Sequence, residues 1–364
     1  MSVDIGIIGL PQSGRTTIFN ALTRGLADTG SGVSHIGMAR VPEPRLEVLD
    51  STLHPKRVVP AEVRYIDIGA SIKSLAEEKG SRDQLLSQIG NVDALINVAR
   101  VFADDTVPHP DGSLDVDRDI TNMNLELTFY DLALLEKRLQ RIGDSLKGAK
   151  PAEKPPLLRE QELLIRIKGE LEKDVPIREL NLTKDEVKAI SGYQFLTAKP
   201  LLILVNIGEE QQAEAASLEA ELNAKYARPD CRVIALCGKL EMELGQLDDA
   251  AAAEELRAEY GIEESALDRA IKVSYELLGL VSFFTIASGE VRAWSVKRNT
   301  EAAKAAGKIH TDMERGFIRA EAIGFNDLVK CGGIAEARKR GLLRLEGKNY
   351  IVQDGDVITF LFNV

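Results

Sequence analysis

Nine residues near the N-terminus, Gly9 to Thr17 in the order GLPQSGRTT, have the composition of a phosphate cradle. The pattern that holds a polyphosphate is G-x-x-x-x-G-K-[ST], in which backbone N–H groups and a helix N-terminus surround the phosphates. A lysine then reaches the terminal phosphates and a hydroxyl binds Mg²⁺. Gly9, Gly14 and Thr16 meet that pattern, and Arg15 stands where the lysine belongs. Pro11, Gln12, Ser13 and Thr17 complete the candidate nucleotide-binding loop. A second candidate is Asp67, at the end of the apolar run EVRYIDI. A carboxylate there suits a Mg²⁺ held through water, so Thr16 and Asp67 are the candidate metal ligands and Arg15 and Asp67 the candidate catalytic groups. A third is NIGE, Asn206 to Glu209, after the run PLLILVN. A motif at that place reads guanine when it ends in aspartate, whose carboxylate accepts two N–H donors from the base; the longer Glu209 fits that pair poorly.

Such residues need strands that end together and helices that begin there. VDIGIIG (3–9), EVRYIDI (62–68), DALINVARVF (93–102), PLLILVN (200–206) and CRVIALCGK (231–239) read as buried strands. Helical patterns such as TTIFNALTRGL, SRDQLLSQIG and AASLEAELNAKY lie between them. Alternation of this kind predicts a parallel α/β sheet. It is interrupted between about 118 and 199, where apolar residues at 125, 129, 132, 135, 139, 142 and 146 step by threes and fours. GAKPAEKPP breaks that helix, and a second stripe runs through Leu164, Ile167 and Leu171, which predicts an inserted helical hairpin. From about 282, SFFTI, EVRAWSV, GFIRAEAI, LLRLEG and NYIVQDGDVITFLF are short strands separated by turn residues, the pattern of a small α+β module.

Composition narrows the class. With 44% hydrophobic and 28% charged residues in 364, the chain has the balance of a globular protein with more than one core. No run approaches the roughly 18 apolar residues of a membrane helix, and MSVDIGIIGL has no basic segment or cleavage site of a secretory signal. Cys231, Cys237 and Cys331 form no C-x-x-C pair, which suits a reducing cytoplasm. The four histidines include no H-E-x-x-H, so a protein-only metal site is not expected. A net charge of −11 argues against nucleic-acid binding by the whole surface. The hairpin region 136–173 runs the other way, with ten Lys/Arg against seven Asp/Glu. A second basic cluster is Arg338, Lys339, Arg340 and Arg344. A protruding basic hairpin suits contact with RNA or the ribosome, but on charge alone a solvated mixed-charge coiled coil is the better reading; neither cluster has aromatic residues to stack bases, so sequence-specific RNA or DNA reading is not expected, nor is a membrane.

The order of these pieces resembles the YchF subfamily of Obg-like P-loop NTPases over essentially the whole chain. The last 80 or so residues, with VRAWSV, IHTDMERGFIRAEAI and RLEGKNYIVQDGDVITFLFNV, resemble that family's TGS domain. The resemblance implies an α/β protein: a Ras-like P-loop nucleotide domain (1–117 and 200–281), an α-helical coiled-coil insertion (118–199) and a ubiquitin-like β-grasp TGS domain (282–364). It implies Mg²⁺ as cofactor, binding of ATP in preference to GTP through Asn206 and Glu209, slow hydrolysis and association with ribosomes. Cys237 and Gly238 would then back the base.

The chain departs from the family pattern G-x-P-N-x-G-K-S-T at Gln12 and Arg15, and from D-x-A-G at Asp67-Ile68-Gly69-Ala70. Ser31, in GSGVSHIGM, is matched to the first-switch threonine, and Ser71 stands where Ras-like GTPases place a water-orienting glutamine. The changes fall on the groups that sense the γ-phosphate. An arginine is a bulky planar fork and does not replace a lysine conservatively. The expectation is a divergent member, at most a slow Mg²⁺-dependent NTPase. The alternatives are a non-hydrolysing relative that docks on the ribosome or RNA, and an interaction protein acting mainly through the TGS module.

Overall fold

The computed structural model describes residues 3–27, 34–68, 89–247, 250–260, 262 and 265–363. Ser31, Gly69, Ala70, Ser71 and all but the last two residues of SRDQLLSQIG lie outside the described residues.

The chain opens with β1 (Val3–Gly9), α1 (Arg15–Thr23), β2 (His35–Arg40), α2 (Arg45–Leu53), β3 (Arg57–Val59), β4 (Glu62–Asp67) and β5 (Ala94–Arg100). The hairpin helices α3 (Val116–Gly148) and α4 (Lys154–Leu171) follow, then α5 (Lys184–Ile190), β6 (Leu201–Asn206), α6 (Ala215–Tyr226), β7 (Cys231–Leu236), α7 (Gly238–Gln246), α8 (Ala250–Glu259) and α9 (Ala266–Leu277). The last part holds β8 (Leu280–Ala287), β9 (Glu290–Lys297), α10 (Ala302–Ile309), α11 (Thr311–Arg315), β10 (Phe317–Gly324), α12 (Phe325–Cys331), α13 (Ile334–Lys339), β11 (Arg344–Glu346) and β12 (Asp356–Phe362). The chain forms two compact units: Asp4–Gly37 with Arg64–Leu267, and Met1–Val3 with Met38–Val63 and Asp268–Val364.

The larger unit is built on a sheet of order β2-β4-β1-β5-β6-β7. β5 pairs in parallel with β1 and β6, and β6 with β7. β5 and β6 are buried at every position, which is why they read as unbroken apolar runs rather than as alternation. The order reverses at β1, with β4 on one side and β5 on the other. Ligands of open α/β sheets bind at the carboxyl ends of the strands beside such a reversal.

α3 starts on Asp115, whose side chain accepts from the Arg118 N–H, with Asp117 and Asp119 in its first turn. It ends at Gly148, and Pro155 and Pro156 open α4, as the breaker sequence requires. The hairpin core is Leu135, Ile142, Leu164, Ile167 and Leu171, closed by Ile177, Ile190 and Phe195. The stripe expected from sequence holds there but not at its start: Phe129 is 64% exposed, and Ile120, Met123 and Leu127 face the sheet instead. A straight helix turns by 3.6 residues, so a 3.5-residue stripe drifts off the buried face over a 33-residue helix.

The smaller unit holds a second sheet, β11-β10-β12-β8-β9-β3. Its core includes Phe283, Ala305, Ala320, Ala322, Ile358 and Phe360. Residues 38–63, expected with the nucleotide domain, belong to this unit. β3 pairs in parallel with β9, and Arg45 reaches Glu43, Asp354 and the face of Phe284. A three-residue strand flanked by prolines carries no periodicity, and β2 alternates too weakly to stand out; neither was expected. The cluster Arg338, Lys339, Arg340 and Arg344 is not free charge: the four pair with Glu321, Glu336, Glu336 and Asp356.

Candidate functional site

Five strand ends of the larger unit converge: Gly9 of β1, Asp67 of β4, Arg100 of β5, Asn206 of β6 and Leu236 of β7. Beside them lies a cleft of about 740 Å³, lined by Asn206 and by residues that follow β1, β5, β6 and β7; Asp67 is not part of its lining. The turn from β1 into α1 carries two left-handed residues, Gln12 (φ 63°) and Gly14 (φ 88°). Gly14 caps α1, and no side chain bonds the cap, so the helix N-terminus is presented by backbone alone. A Cβ at Gly14 would lie 2.3 Å from Asn206 Nδ2 as well as in a conformation costly for other residues, so only glycine fits.

Gln12, Ser13, Gly14, Arg15, Thr16 and Thr17 all line the cleft. Gly9 and Pro11 do not; Gly9 lies beneath the turn, where a Cβ would meet Ser13 Oγ at 2.6 Å. The Thr16 hydroxyl donates to Asp67 Oδ2 at 2.6 Å. Asp67 is fully buried, and its Oδ1 has no hydrogen-bond partner among the described residues. An unbonded buried carboxylate oxygen is costly unless a cation satisfies it. Thr16 and Asp67 therefore fit a hard cation with oxygen ligands such as Mg²⁺. Arg15 Nη1 donates to the Ile68 carbonyl, one residue beyond Asp67. Burial lowers the Arg15 pKa, and the Asp67 carboxylate opposes that.

Asn206 braces the floor. Its Nδ2 donates to the Ser13 carbonyl at 3.1 Å, and its Oδ1 accepts from the Gly238 N–H at 3.0 Å. Cys237 lines the cleft and caps α7. Gly238 is the first residue of that helix and lies behind the lining, where a Cβ would meet Ile18 Cδ1 at 2.5 Å. Glu209 lines the far end of the cleft. Lys239 Nζ lies 2.8 Å from Glu209 Oε1, and the Tyr260 hydroxyl donates to Oε2 at 3.4 Å. The Lys239 contact holds the Glu209 carboxyl below its ordinary pKa.

Sequence reasoning missed Arg100, Phe102, Lys239 and Tyr260. Arg100 is 3% exposed; its guanidinium donates to the Phe102 and Gln12 carbonyls at 3.1 and 3.5 Å and lies 4.3 Å from the Phe102 ring centre. It places a buried positive charge under the phosphate loop. The available signal was a single charged residue, Arg100, closing the fully buried strand ALINVAR. Beyond the cleft, ligand atoms of His109, Asp111 and Asp119 lie within 4.8 Å of one another. Arg118 also bonds Asp119 Oδ1, at 2.9 Å, so the group reads as a clasp on the loop that follows β5, not as a cation site.

A phosphate loop at the reversal of a parallel sheet, with its hydroxyl on a strand-end aspartate, defines the P-loop NTPase class. A family model named for the C-terminal region of YchF GTPases, described as "Protein of unknown function (DUF933)", matches residues 280–363. The ribosome-binding ATPase YchF of Bacillus subtilis (strain 168) is 39% identical over 371 residues, covering 100% of both chains. That of Pasteurella multocida (strain Pm70) is 37% identical, again with 100% of both covered. The solved structure of the Schizosaccharomyces pombe YchF GTPase superposes with a TM-score of 0.82 at 26% identity, covering 99% of this chain and 98% of that one. The chain belongs to the YchF family.

Proposed function

We propose that this protein binds a purine nucleotide with Mg²⁺ in the cleft of its larger unit, favours ATP over GTP, hydrolyses it slowly and acts in association with the ribosome. The observation that carries the reading is the open N-terminus of α1 facing the cleft, beside the Thr16–Asp67 pair. The names of the relatives, ribosome-binding ATPases and a GTPase, support the class of ligand and partner.

The chain's own residues divide the work. Backbone N–H groups from Gly14 to Thr16, at the start of α1, would receive phosphate oxygens. Asn206 holds that loop in register with Gly238. Thr16 and Asp67 would hold Mg²⁺, which when bound neutralises phosphate charge. The base end is closed by Glu209, Lys239, Cys237 and Met242. Lys239 already holds Glu209 Oε1 and so competes with the donors of guanine for that oxygen. This supports adenine over guanine. Slow hydrolysis rests on Arg15, a planar fork in place of a lysine's point charge, with its Nη1 on the Ile68 carbonyl. The same contact favours a second reading, a relative that docks on the ribosome with nucleotide as a structural ligand.

Calorimetric titration of the full chain with Mg-ATP and Mg-GTP tests the proposal. ATP is expected to bind more tightly, and Glu209→Asp to narrow the difference. Equal or tighter GTP binding by the wild type would contradict the base preference, and no heat with either would contradict the nucleotide reading itself.

A further inference from the structure

We propose that Lys239 is a specificity-determining residue of the cleft: with Glu209 it forms a donor–acceptor pair that fits the 6-amino edge of adenine and disfavours the 2-amino group of guanine. The inference rests on the reading of the Glu209 end of the cleft as the base end, and names what discriminates there.

Glu209 opens the turn that follows β6, Lys239 is the second residue of α7, and both line the cleft. Lys239 Nζ lies 2.8 Å from Glu209 Oε1, and the Tyr260 hydroxyl donates to Oε2 at 3.4 Å, so each carboxylate oxygen already has a donor. Among the described residues Lys239 has no other ion pair. A cation in the first turn of a helix faces the positive end of the helix dipole, so lysine is disfavoured there unless a carboxylate answers it. Glu209 is that carboxylate. Glu243, one turn further along α7, also lines the cleft and keeps a second acid near the ammonium.

A carboxylate only accepts hydrogen bonds and an ammonium only donates them. Adenine offers a donor, its 6-amino group, beside an acceptor, ring N1. Glu209 can take the first and Lys239 the second while the two stay paired. Guanine offers O6, N1–H and the 2-amino group in that order, one acceptor and then two donors. If both donors turn to Glu209, they compete with Lys239 for Oε1 and with Tyr260 for Oε2, and the ammonium faces a donor edge. If Lys239 takes O6 and Glu209 takes N1–H, the 2-amino group is left without an acceptor. A polar group left unpaired on binding costs more than an ordinary contact gains. Hypoxanthine, which is guanine without the 2-amino group, escapes that cost. The discrimination thus comes from an opposing charge set beside the attractive one.

The experiment is calorimetric titration of the full chain with Mg-ATP, Mg-GTP and Mg-ITP, the hypoxanthine nucleotide, for the wild type, Lys239→Ala and Lys239→Arg. The wild type is expected to bind GTP about tenfold more weakly than ITP, the effect of one unpaired polar group. Lys239→Ala frees Glu209 for both donors, so GTP should then bind as tightly as ITP or more tightly, while ATP weakens. Lys239→Arg keeps the charge and should keep the wild-type order. A wild type that binds GTP as tightly as ITP overturns the proposal, and this comparison decides even if a variant folds poorly. An equal loss of all three nucleotides in Lys239→Ala also overturns it, since Lys239 would then act on the cleft as a whole. The preference for ATP proposed above fails instead on the wild-type comparison of ATP with GTP. No heat with any of the three contradicts the nucleotide reading itself and this inference with it.

Discussion

Asn206 engages both ends of its amide in the cleft floor, one on the Ser13 carbonyl and one on the Gly238 N–H. It is 4% exposed, so neither partner has ready access to water. Asn206→Ala would leave two buried backbone groups unpaired, at about 1–3 kcal/mol each. The expected result is a loss of about 2–5 kcal/mol of stability in urea unfolding and a phosphate loop that binds nucleotide more weakly. A loss below about 0.5 kcal/mol, the range of ordinary surface substitutions, would show that the brace contributes nothing. Arg15, Thr16, Asn206 and Glu209 were legible because their motifs are local: each is a few residues long and follows an apolar strand. Arg100, Lys239 and Tyr260 were not, because what they do depends on which strand ends the sheet brings together. The charge of Lys239 gains its meaning only from Glu209, thirty positions earlier in the chain.

Among the elements, the long helix α3 is tied to the turn that leads into β6 by the buried carboxylate of Asp131. Asp131 accepts from the N–H groups of Leu196 and Thr197 and from the Thr197 hydroxyl, at 2.6 to 2.9 Å. Burial outweighs those bonds and pushes its pKa up to about 6. A carboxyl whose pKa is raised on folding contributes stability that is fully present below its ordinary value near 3.8 and is lost as the pH rises through about 6. The advantage of wild type over Asp131→Asn, measured by urea unfolding, should therefore shrink by on the order of 2–3 kcal/mol between those limits. A difference that does not change with pH would contradict this. The elements themselves were readable where burial is uniform or strictly periodic, as in β1, β5, β6 and α6. The start of α3 misled because its inward face follows the sheet beneath it, a surface the sequence does not display.

For the molecule as a whole, the surface charge is better judged after pairing than by counting. Of the ten basic residues in 136–173, Arg138, Lys147, Arg166, Lys168 and Lys173 form ion pairs. Lys137, Arg141, Lys150, Lys154 and Arg159 are exposed, and none has an ion-pair partner among the described residues. Lys150 and Lys154 stand at the tip of the hairpin. Unpaired, exposed cations are the ones that can replace counter-ions on a phosphate backbone, so ribosome co-sedimentation should weaken as salt rises. Charge reversal at Lys150, Lys154 and Arg159 should weaken it further. Co-sedimentation indifferent to both changes would remove the hairpin as the contact.

Under the proposed function the cleft holds a nucleotide but, with Arg15 in place of lysine, moves its γ-phosphate slowly. Phosphoryl transfer depends on positioning and on charge stabilisation, and a misplaced donor typically costs about 10²–10³ in rate. Single-turnover hydrolysis of radiolabelled Mg-ATP by the wild type and by Arg15→Lys measures this directly. The expected wild-type rate lies far below the ~10 s⁻¹ of a median enzyme, and Arg15→Lys is expected to be faster. Brisk wild-type turnover that Arg15→Lys leaves unchanged or lowers would contradict it.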